Sequence, residues 1–198
     1  MAAEDAPVIV AARRTPIGTR GRALAGLRVE ELAAPVIRAA LVDASEAMGV
    51  PLVVSDVLLG NCMGPGGNPG RVSALAAGLG PETPGGTVDR QCGSGLAAVI
   101  DAASALRAGG GGFMGAREQD GSAGVRMTGV RVAGGVESAS TAPVRSIEGV
   151  AYDRAPFAPA GFADPDMVRA AEDLAEHDGI PRSRQDAHAA RSHARARL

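Results

Sequence analysis

The sequence contains no lysine and no tryptophan, and aromatic residues make up only 2% of its 198 residues. A hydrophobic core must therefore be built from alanine, valine, leucine and isoleucine. The hydrophobic content of 45% is that of a globular protein. All 20 basic residues are arginine, which we interpret as coding bias and not as function. With a formal net charge of −2, the composition gives no electrostatic case for a nucleic-acid partner.

The N-terminal residues have neither the basic nor the apolar region of a secretory signal peptide. No apolar run approaches the roughly 20 residues that a membrane-spanning helix needs, so we expect no membrane partner. Two cysteines, one of which we expect to work as a thiolate, suit a reducing cytoplasm. No metal site is predicted.

Apolar runs alternate with helical spacings along the first part of the chain. Residues 8–12 form a continuous apolar run, typical of a strand buried on both faces. A helix is predicted over 30–48, a second strand over 55–60 and a short helix over 71–79. Alternating strands and helices indicate an α/β fold with a largely parallel sheet. The length allows one sizeable domain, or one domain and part of another.

A thiol stands where a strand-like segment (Thr87, Val88) passes through a turn into a helix predicted over 92–108. Unpaired N–H groups and the positive end of the dipole at a helix N-terminus favour an anion, and a thiolate is one. Cys92 is therefore a candidate nucleophile. Its position alone also allows the alternative that it is an unreactive cysteine. This helix is apolar nearly all round, which is typical of a helix buried on all sides, so we expect it to be covered both by its own sheet and by something beyond it.

Several segments, in the right order, resemble thiolases, the acyl-CoA acetyltransferases. The nucleophile segment is the most specific, since Asp-Arg-Gln-Cys-Gly-Ser-Gly-Leu at 89–96 is similar to the one that carries the reactive cysteine in that family. The resemblance extends over almost the whole chain, through residues 14–18, the helix at 30–48, Asn61, residues 68–71 and residues 131–138.

The resemblance implies half of a five-layer αβαβα fold: a thiolase-like mixed sheet with helices on both faces, truncated, with the Cys92 helix in the middle layer. Residues 1–140 would form the N-terminal α/β domain, with an irregular glycine-rich insertion at 109–129. Residues 141–198 would begin the loop domain that binds coenzyme A. The C-terminal thiolase domain would be absent.

The implied activity is that of an acyl-CoA C-acetyltransferase of fatty acid metabolism. Cys92 would be the acyl-thioester nucleophile, and the enzyme would condense two acetyl-CoA or thiolyse a 3-ketoacyl-CoA. Coenzyme A thioesters are then substrates, and no cofactor is implied. The family's Gly-His-Pro histidine and second catalytic cysteine belong to the other half, so we expect this chain to be inactive alone. Its three histidines (His177, His188, His193) are expected to be solvated.

Two residues have weaker roles in this interpretation. Residues 166–168 align with a segment where many thiolases have His-Met-Gly, but Asp166 and Val168 replace the histidine and the glycine. Met167 is thus a weak candidate for lining the substrate pocket, and core packing is an equal alternative. Cys62 is expected to be a packed small residue and not a second catalytic cysteine.

Two alternatives stay open. One is another member of the same superfamily, such as a ketosynthase-like condensing enzyme, although the turn at 134–138 (Gly-Gly-Val-Glu-Ser) favours thiolase. The other is a non-catalytic or complementing subunit or scaffold. The expected partners are acyl-CoA or coenzyme A, together with a second copy of the chain in a homo-oligomer or a complementing thiolase-like chain.

Overall fold

The computed structural model of the protein describes residues 6–109 and 127–197. The chain divides into two compact units, Met1–Pro143 and Val144–Leu198. The domain boundary predicted after residue 140 falls close to this division. Among the described residues, the first unit carries a parallel sheet and three helices, and the second carries a hairpin and two helices.

The sheet of the first unit has three parallel strands. They are β1 (Leu52–Gly60), β2 (Gly85–Val88) and β3 (Met127–Gly135), in the order β2-β1-β3. In the register of these strands, Gly60 pairs with Val88 on one side and with Gly135 on the other. All three strands therefore end together, at what we call the carboxyl edge. The predicted parallel arrangement is confirmed for these strands.

Helices cover both faces of the sheet. Helices α1 (Val29–Met48) and α2 (Pro69–Ala76) pack on one face, where the buried cluster combines residues of both helices with the central strand: Ala33, Ala34, Ile37, Val54, Val57, Leu59, Ala74 and Ala77. Successive strand residues point to opposite faces. Gly60 accordingly meets α3 (Ser94–Arg107) on the other face. The predicted α/β architecture is confirmed.

The helices begin and end at residues suited to those positions. Glu31 accepts the N–H of Arg28 at 2.8 Å in the first turn of α1, which ends at Gly49 in the left-handed region (φ 67°). Pro35 lies inside α1. Asn68 caps α2, since its Oδ1 accepts the Arg71 N–H at 3.1 Å.

The strand predicted at residues 8–12 is wrong. These residues adopt no strand, and Ile9 is 80% exposed. A cavity of about 250 Å³ lies between this segment and the sheet: Ala11 and Ala12 line one side of it, Val132 and Ala133 of β3 line another, and α1 completes it. The segment thus stands off from the sheet and makes no ladder with β3. A continuous apolar run alone did not distinguish a buried strand from this arrangement.

Among the described residues only the sheet side of α3 is buried, and the cover that the sequence predicts for its outer side stays a prediction. Its small residues (Ala97, Ala98, Ala102) are buried, because this side packs on β1 and β3. Leu96 is 67% exposed, and Ile100 is exposed beside it. These two side chains lie four positions apart, so they form a short apolar stripe on the outer side of α3.

The second unit begins with a β-hairpin of β4 (Arg145–Ile147) and β5 (Val150–Tyr152). Glu148 and Gly149 at its turn both have positive φ, as a two-residue hairpin turn of the primed type requires. Helices α4 (Met167–His177) and α5 (Arg182–Arg195) follow. Most of the predicted insertion at 109–129 lies outside the described residues, and its last residues, 127–129, begin β3.

Within residues 6–109 and 127–197, no helix combines the length and the apolar character needed to cross a membrane.

Candidate active site

Cys92 lies at the carboxyl edge of the sheet, on the turn that joins β2 to α3, and its side chain is exposed. Helix α3 begins at Ser94 with Gly93 as its N-cap, two residues later than the sequence predicted. Ligands of open parallel sheets bind outside the carboxyl ends of the strands. The structure therefore places the predicted nucleophile where such a sheet presents substrates.

A set of short-range hydrogen bonds shapes the turn. The N–H of Gly93 donates to the Arg90 carbonyl at 3.0 Å, and the N–H of Ser94 donates to the Gln91 carbonyl at 3.1 Å. The N–H of Gln91 donates to Asp89 Oδ1 at 3.0 Å. Gln91 itself has φ +52°, a left-handed conformation that costs free energy in any residue with a Cβ. Strain is thus concentrated directly before the thiol.

The buried side chain of Ser94 forms hydrogen bonds to the backbone of this turn. Its side chain is only 5% exposed, and its Oγ accepts the N–H of Arg90 at 2.8 Å while donating to the Gln91 carbonyl at 2.6 Å. Sequence reasoning missed this role. The position of Ser94 two residues after the cysteine, at a helix start, was the available signal.

Glycines allow the backbone at the N-terminus of α3 to contact the backbone at the ends of β1 and β3. A Cβ at Gly60 would lie 2.3 Å from the carbonyl carbon of Ser94, and one at Gly135 would lie 3.1 Å from Gly95 Cα. No side chain fits in these contacts. They fix the N-terminus of α3 against the ends of β1 and β3, and so fix the position of Cys92.

The N-terminus of α3 offers backbone donors beside the thiol. The first intrahelical bond runs from the Ala97 N–H to the Gly93 carbonyl at 2.9 Å, so the N–H groups of Gly95 and Leu96 precede it. Gly93 has no side chain, and no side-chain hydrogen bond caps the helix. Donors at a helix start, with the dipole behind them, stabilise a thiolate or an oxyanion.

Two further loops meet at the carboxyl edge. Asn61 follows β1, and its Nδ2 donates to the Val136 carbonyl at 2.9 Å while its Oδ1 accepts the Gly64 N–H at 3.2 Å. Glu137 follows β3, and its carboxylate accepts the N–H groups of Cys62 and Met63. Sequence reasoning included Asn61 in the resemblance to thiolases and assigned no role to Glu137.

Cys62 lies in this loop and is half-buried, so the expectation of a packed small residue describes it only in part. Burial raises the pKa of the Cys62 thiol to about 11, and a hydrogen bond and negative charge from Glu137 add to the effect, as do Asp89 and Cys92. At neutral pH Cys62 is therefore a neutral thiol, which is a poor nucleophile.

Met167, the weak candidate for pocket lining, lies in the second unit as the first residue of α4 and is exposed. Asp166 caps that helix, since its Oδ1 accepts the Arg169 N–H at 2.9 Å. The three histidines also lie in the second unit and are exposed, as predicted. Among residues 6–109 and 127–197, no group of three or more His, Cys, Asp or Glu could hold a metal ion.

Comparisons with known proteins agree with this geometry. Residues 7–198 match the family described as "Thiolase, N-terminal domain". The chain is 40% identical over 195 residues to Staphylococcus haemolyticus VraB and 41% identical over 190 residues to Bacillus subtilis YhfS, both assigned provisionally as acetyl-CoA C-acetyltransferases. These matches cover 94% and 96% of this chain but only 46% and 44% of the relatives.

Solved structures show the same relationship. The Bacillus anthracis acetyl-CoA acetyltransferase matches with a TM-score of 0.71 and 33% identity, over 94% of this chain and 45% of that one. The Acat5 thiolase from Ascaris suum, solved with coenzyme A, matches with a TM-score of 0.68 and 24% identity, over 96% and 47%. The chain thus spans less than half the length of the relatives it matches.

The family match covers nearly every residue, and the fold is shared with a solved acetyl-CoA acetyltransferase; the chain belongs to the thiolase family, within its N-terminal domain.

Proposed function

We propose that this chain carries the nucleophile of an acyl-CoA C-acetyltransferase, with Cys92 forming an acyl-enzyme. The observation that carries the proposal is the exposed Cys92 thiol at the carboxyl edge, directly before the uncapped N-terminus of α3. The names of the relatives support the choice of substrate, since they are acetyl-CoA acetyltransferases and one neighbour was solved with coenzyme A.

The first half-reaction follows from the site. The Cys92 thiolate attacks the thioester carbonyl of acetyl-CoA and forms a tetrahedral oxyanion. The N–H groups at the start of α3 stabilise negative charge there. Collapse of the oxyanion breaks the carbon–sulfur bond to coenzyme A, which leaves as the thiolate, and Cys92 remains acetylated. Coenzyme A thioesters enter as substrates, and the proposal includes no further cofactor.

The second half-reaction needs groups that this chain does not supply in a recognisable form. A second acetyl-CoA must lose a proton from its methyl carbon before that carbon attacks the acyl-enzyme; in thiolysis, coenzyme A attacks instead. The three histidines lie on exposed positions of the second unit. We therefore infer that the chain does not turn over alone, and steady thiolysis of acetoacetyl-CoA by the pure protein would refute this.

The decisive experiment is the intact mass of the protein after incubation with acetyl-CoA. We expect one acetyl adduct in the wild type and in Cys62→Ala, and none in Cys92→Ala. The matched Cys62→Ala control shows that loss of an adduct reflects the nucleophile and not the loss of any thiol. An adduct that persists in Cys92→Ala would exclude Cys92 as the acylated residue.

A second candidate function is that of a complementing subunit or scaffold bound to another thiolase-like chain or to a second copy. The exposed apolar stripe of Leu96 and Ile100 on α3 favours it, because burying exposed leucine and isoleucine side chains against a partner lowers the free energy of the complex. Sedimentation velocity of the pure chain, and of its mixture with a full-length thiolase, tests this. A monomer in both samples would exclude association.

A further inference from the structure

Glu137, in the turn after β3, forms hydrogen bonds to the backbone of the loop after β1. Its carboxylate accepts the N–H of Met63 at 3.2 Å through Oε1 and at 3.3 Å through Oε2, and Oε1 also accepts the N–H of Cys62. Asn61, only 6% exposed, makes the companion bonds to Val136 and Gly64. Side chains from both loops therefore hold residues 61–64 in place at the carboxyl edge.

The groups that face the Cys62 thiol come from two elements. Glu137 follows β3, and Asp89 and Cys92 follow β2. Partial burial is the main factor that disfavours a negative charge on Cys62, and all three groups add to it when they are ionised. The site thus contains two thiols in different surroundings, since Cys92 is exposed at a helix N-terminus and Cys62 is half-buried among acidic groups.

We propose that Glu137 is a positioning residue of the Cys92 site, whose carboxylate fixes the turn of Cys62 and Met63 and places a negative charge beside the Cys62 thiol, so that the site has one nucleophile and not two. The inference rests on the proposed role of Cys92 as nucleophile. A second thiolate beside the first would compete for the acyl group and would add negative charge next to the Cys92 thiolate. Glu137 acts through Cys62 and its loop, without contacting the reacting atoms.

Alkylation kinetics of the two cysteines test this without using acetyl-CoA. Wild type, Glu137→Gln and the control Glu82→Gln are treated with iodoacetamide between pH 6 and 10, and modification of each cysteine is followed by peptide mass spectrometry. Glu82 lies before β2, away from the carboxyl edge, and its substitution removes the same charge. In Glu137→Gln we expect Cys62 to react about 3- to 10-fold faster at pH 8, because one neighbouring anion is lost. Glu82→Gln should match the wild type.

A second reagent separates charge from loosening of the loop. Iodoacetate is an anion, so the Glu137 carboxylate disfavours its approach to Cys62, whereas iodoacetamide is neutral. If Glu137 acts by its charge, the ratio of the iodoacetamide rate to the iodoacetate rate at Cys62 falls in Glu137→Gln. If the loop only opens, both rates rise equally and the ratio is unchanged, which would overturn the proposal. Glu137→Asp keeps the charge and should retain the wild-type ratio.

The wild type alone also tests the proposal if Glu137→Gln fails to fold. In the wild type the ratio of the iodoacetamide rate to the iodoacetate rate should be higher at Cys62 than at Cys92, because an anion lies beside Cys62. Equal ratios at the two cysteines, or a Cys62 rate that levels off near the ordinary thiol range, about pH 8.5, would overturn the proposal. Failure of the proposed function looks different, because Cys92 would then take no acetyl group from acetyl-CoA whatever the reactivity of Cys62.

Discussion

Gly60 and Ser94 touch through their backbones: a Cβ at position 60 would lie 2.3 Å from the carbonyl carbon of Ser94. The contact joins the end of β1 to the first residue of α3, and the Cys92 turn lies directly before that residue. The position of the thiol therefore depends on the absence of a side chain on a neighbouring strand.

Gly60→Ala should displace the start of α3 and destabilise the protein by about 1–3 kcal/mol, the usual cost of overpacking a tight contact. Urea unfolding measures this, and acetylation of Cys92 should slow as well. Gly134→Ala is the matched control, because a Cβ at that strand glycine meets nothing within 4 Å. Equal stability of the two variants would contradict the proposed contact.

Ser94→Ala should lower the free energy of unfolding by about 1–2 kcal/mol, because it removes two hydrogen bonds of a buried hydroxyl and leaves the Arg90 N–H without that acceptor. Acetylation of Cys92 should also be slower under conditions where the variant is fully folded, because the turn has lost the hydrogen bonds made by Ser94. Ser104→Ala, at an exposed position of the same helix, should change neither quantity appreciably. Similar effects from both substitutions would argue against a special role for Ser94.

Asn68→Ala should cost about 1–2 kcal/mol, because Asn68 caps α2 and also joins it to β2. Its Oδ1 accepts from the Arg71 N–H and from Thr87 Oγ1, and its Nδ2 donates to the Gly85 carbonyl at 2.7 Å. Asn68→Asp keeps the acceptors and loses the donor, so it should be less destabilising than alanine. Thermal unfolding of the three proteins gives the order, and an aspartate variant as unstable as alanine would contradict it.

Stability should depend on pH through Glu31. The backbone hydrogen bond from Arg28 lowers the pKa of Glu31 from its ordinary value of 4.5. A carboxyl whose pKa is lower in the folded state stabilises the protein above its unfolded pKa, and the contribution disappears as the pH falls through the folded pKa. Glu31→Ala should therefore be less stable than wild type at pH 7, with the difference shrinking below pH 4.5.

Urea titrations of both proteins at several pH values measure that difference. Glu82→Ala serves as the control, because Glu82 lies in the loop before β2 and caps no helix. A difference between wild type and Glu31→Ala that stays constant down to low pH would show that the carboxylate's charge is not what stabilises the start of α1.

Local patterns were enough to predict much of this fold. Turn residues and apolar periodicity located α1 and β1 to within a few residues, and the Cys-Gly-Ser-Gly sequence located the thiol at a helix start. These features depend on residues that are neighbours in the chain. The same is true of the caps, such as Asn68 before α2.

Features that depend on distant neighbours were not predictable in the same way. The apolar run at residues 8–12 indicated burial, but burial requires a strand edge at its side, and a cavity separates it from β3. The exposure of Leu96 depends likewise on what covers α3. The role of Glu137 arises because parallel strands bring residues 61–63 and 137 to one edge. No spacing within the sequence encodes that contact.

The hydrogen bonds that shape the Cys92 turn all join residues between Asp89 and Ser94. A genetic consequence follows from this. A short DNA segment therefore encodes every residue that makes these bonds, whereas the glycines that fix the turn against the sheet, Gly60 and Gly135, are encoded on either side of it. A rearrangement of the gene that keeps the Cys92 turn must keep both flanking strand ends to keep the turn in its place.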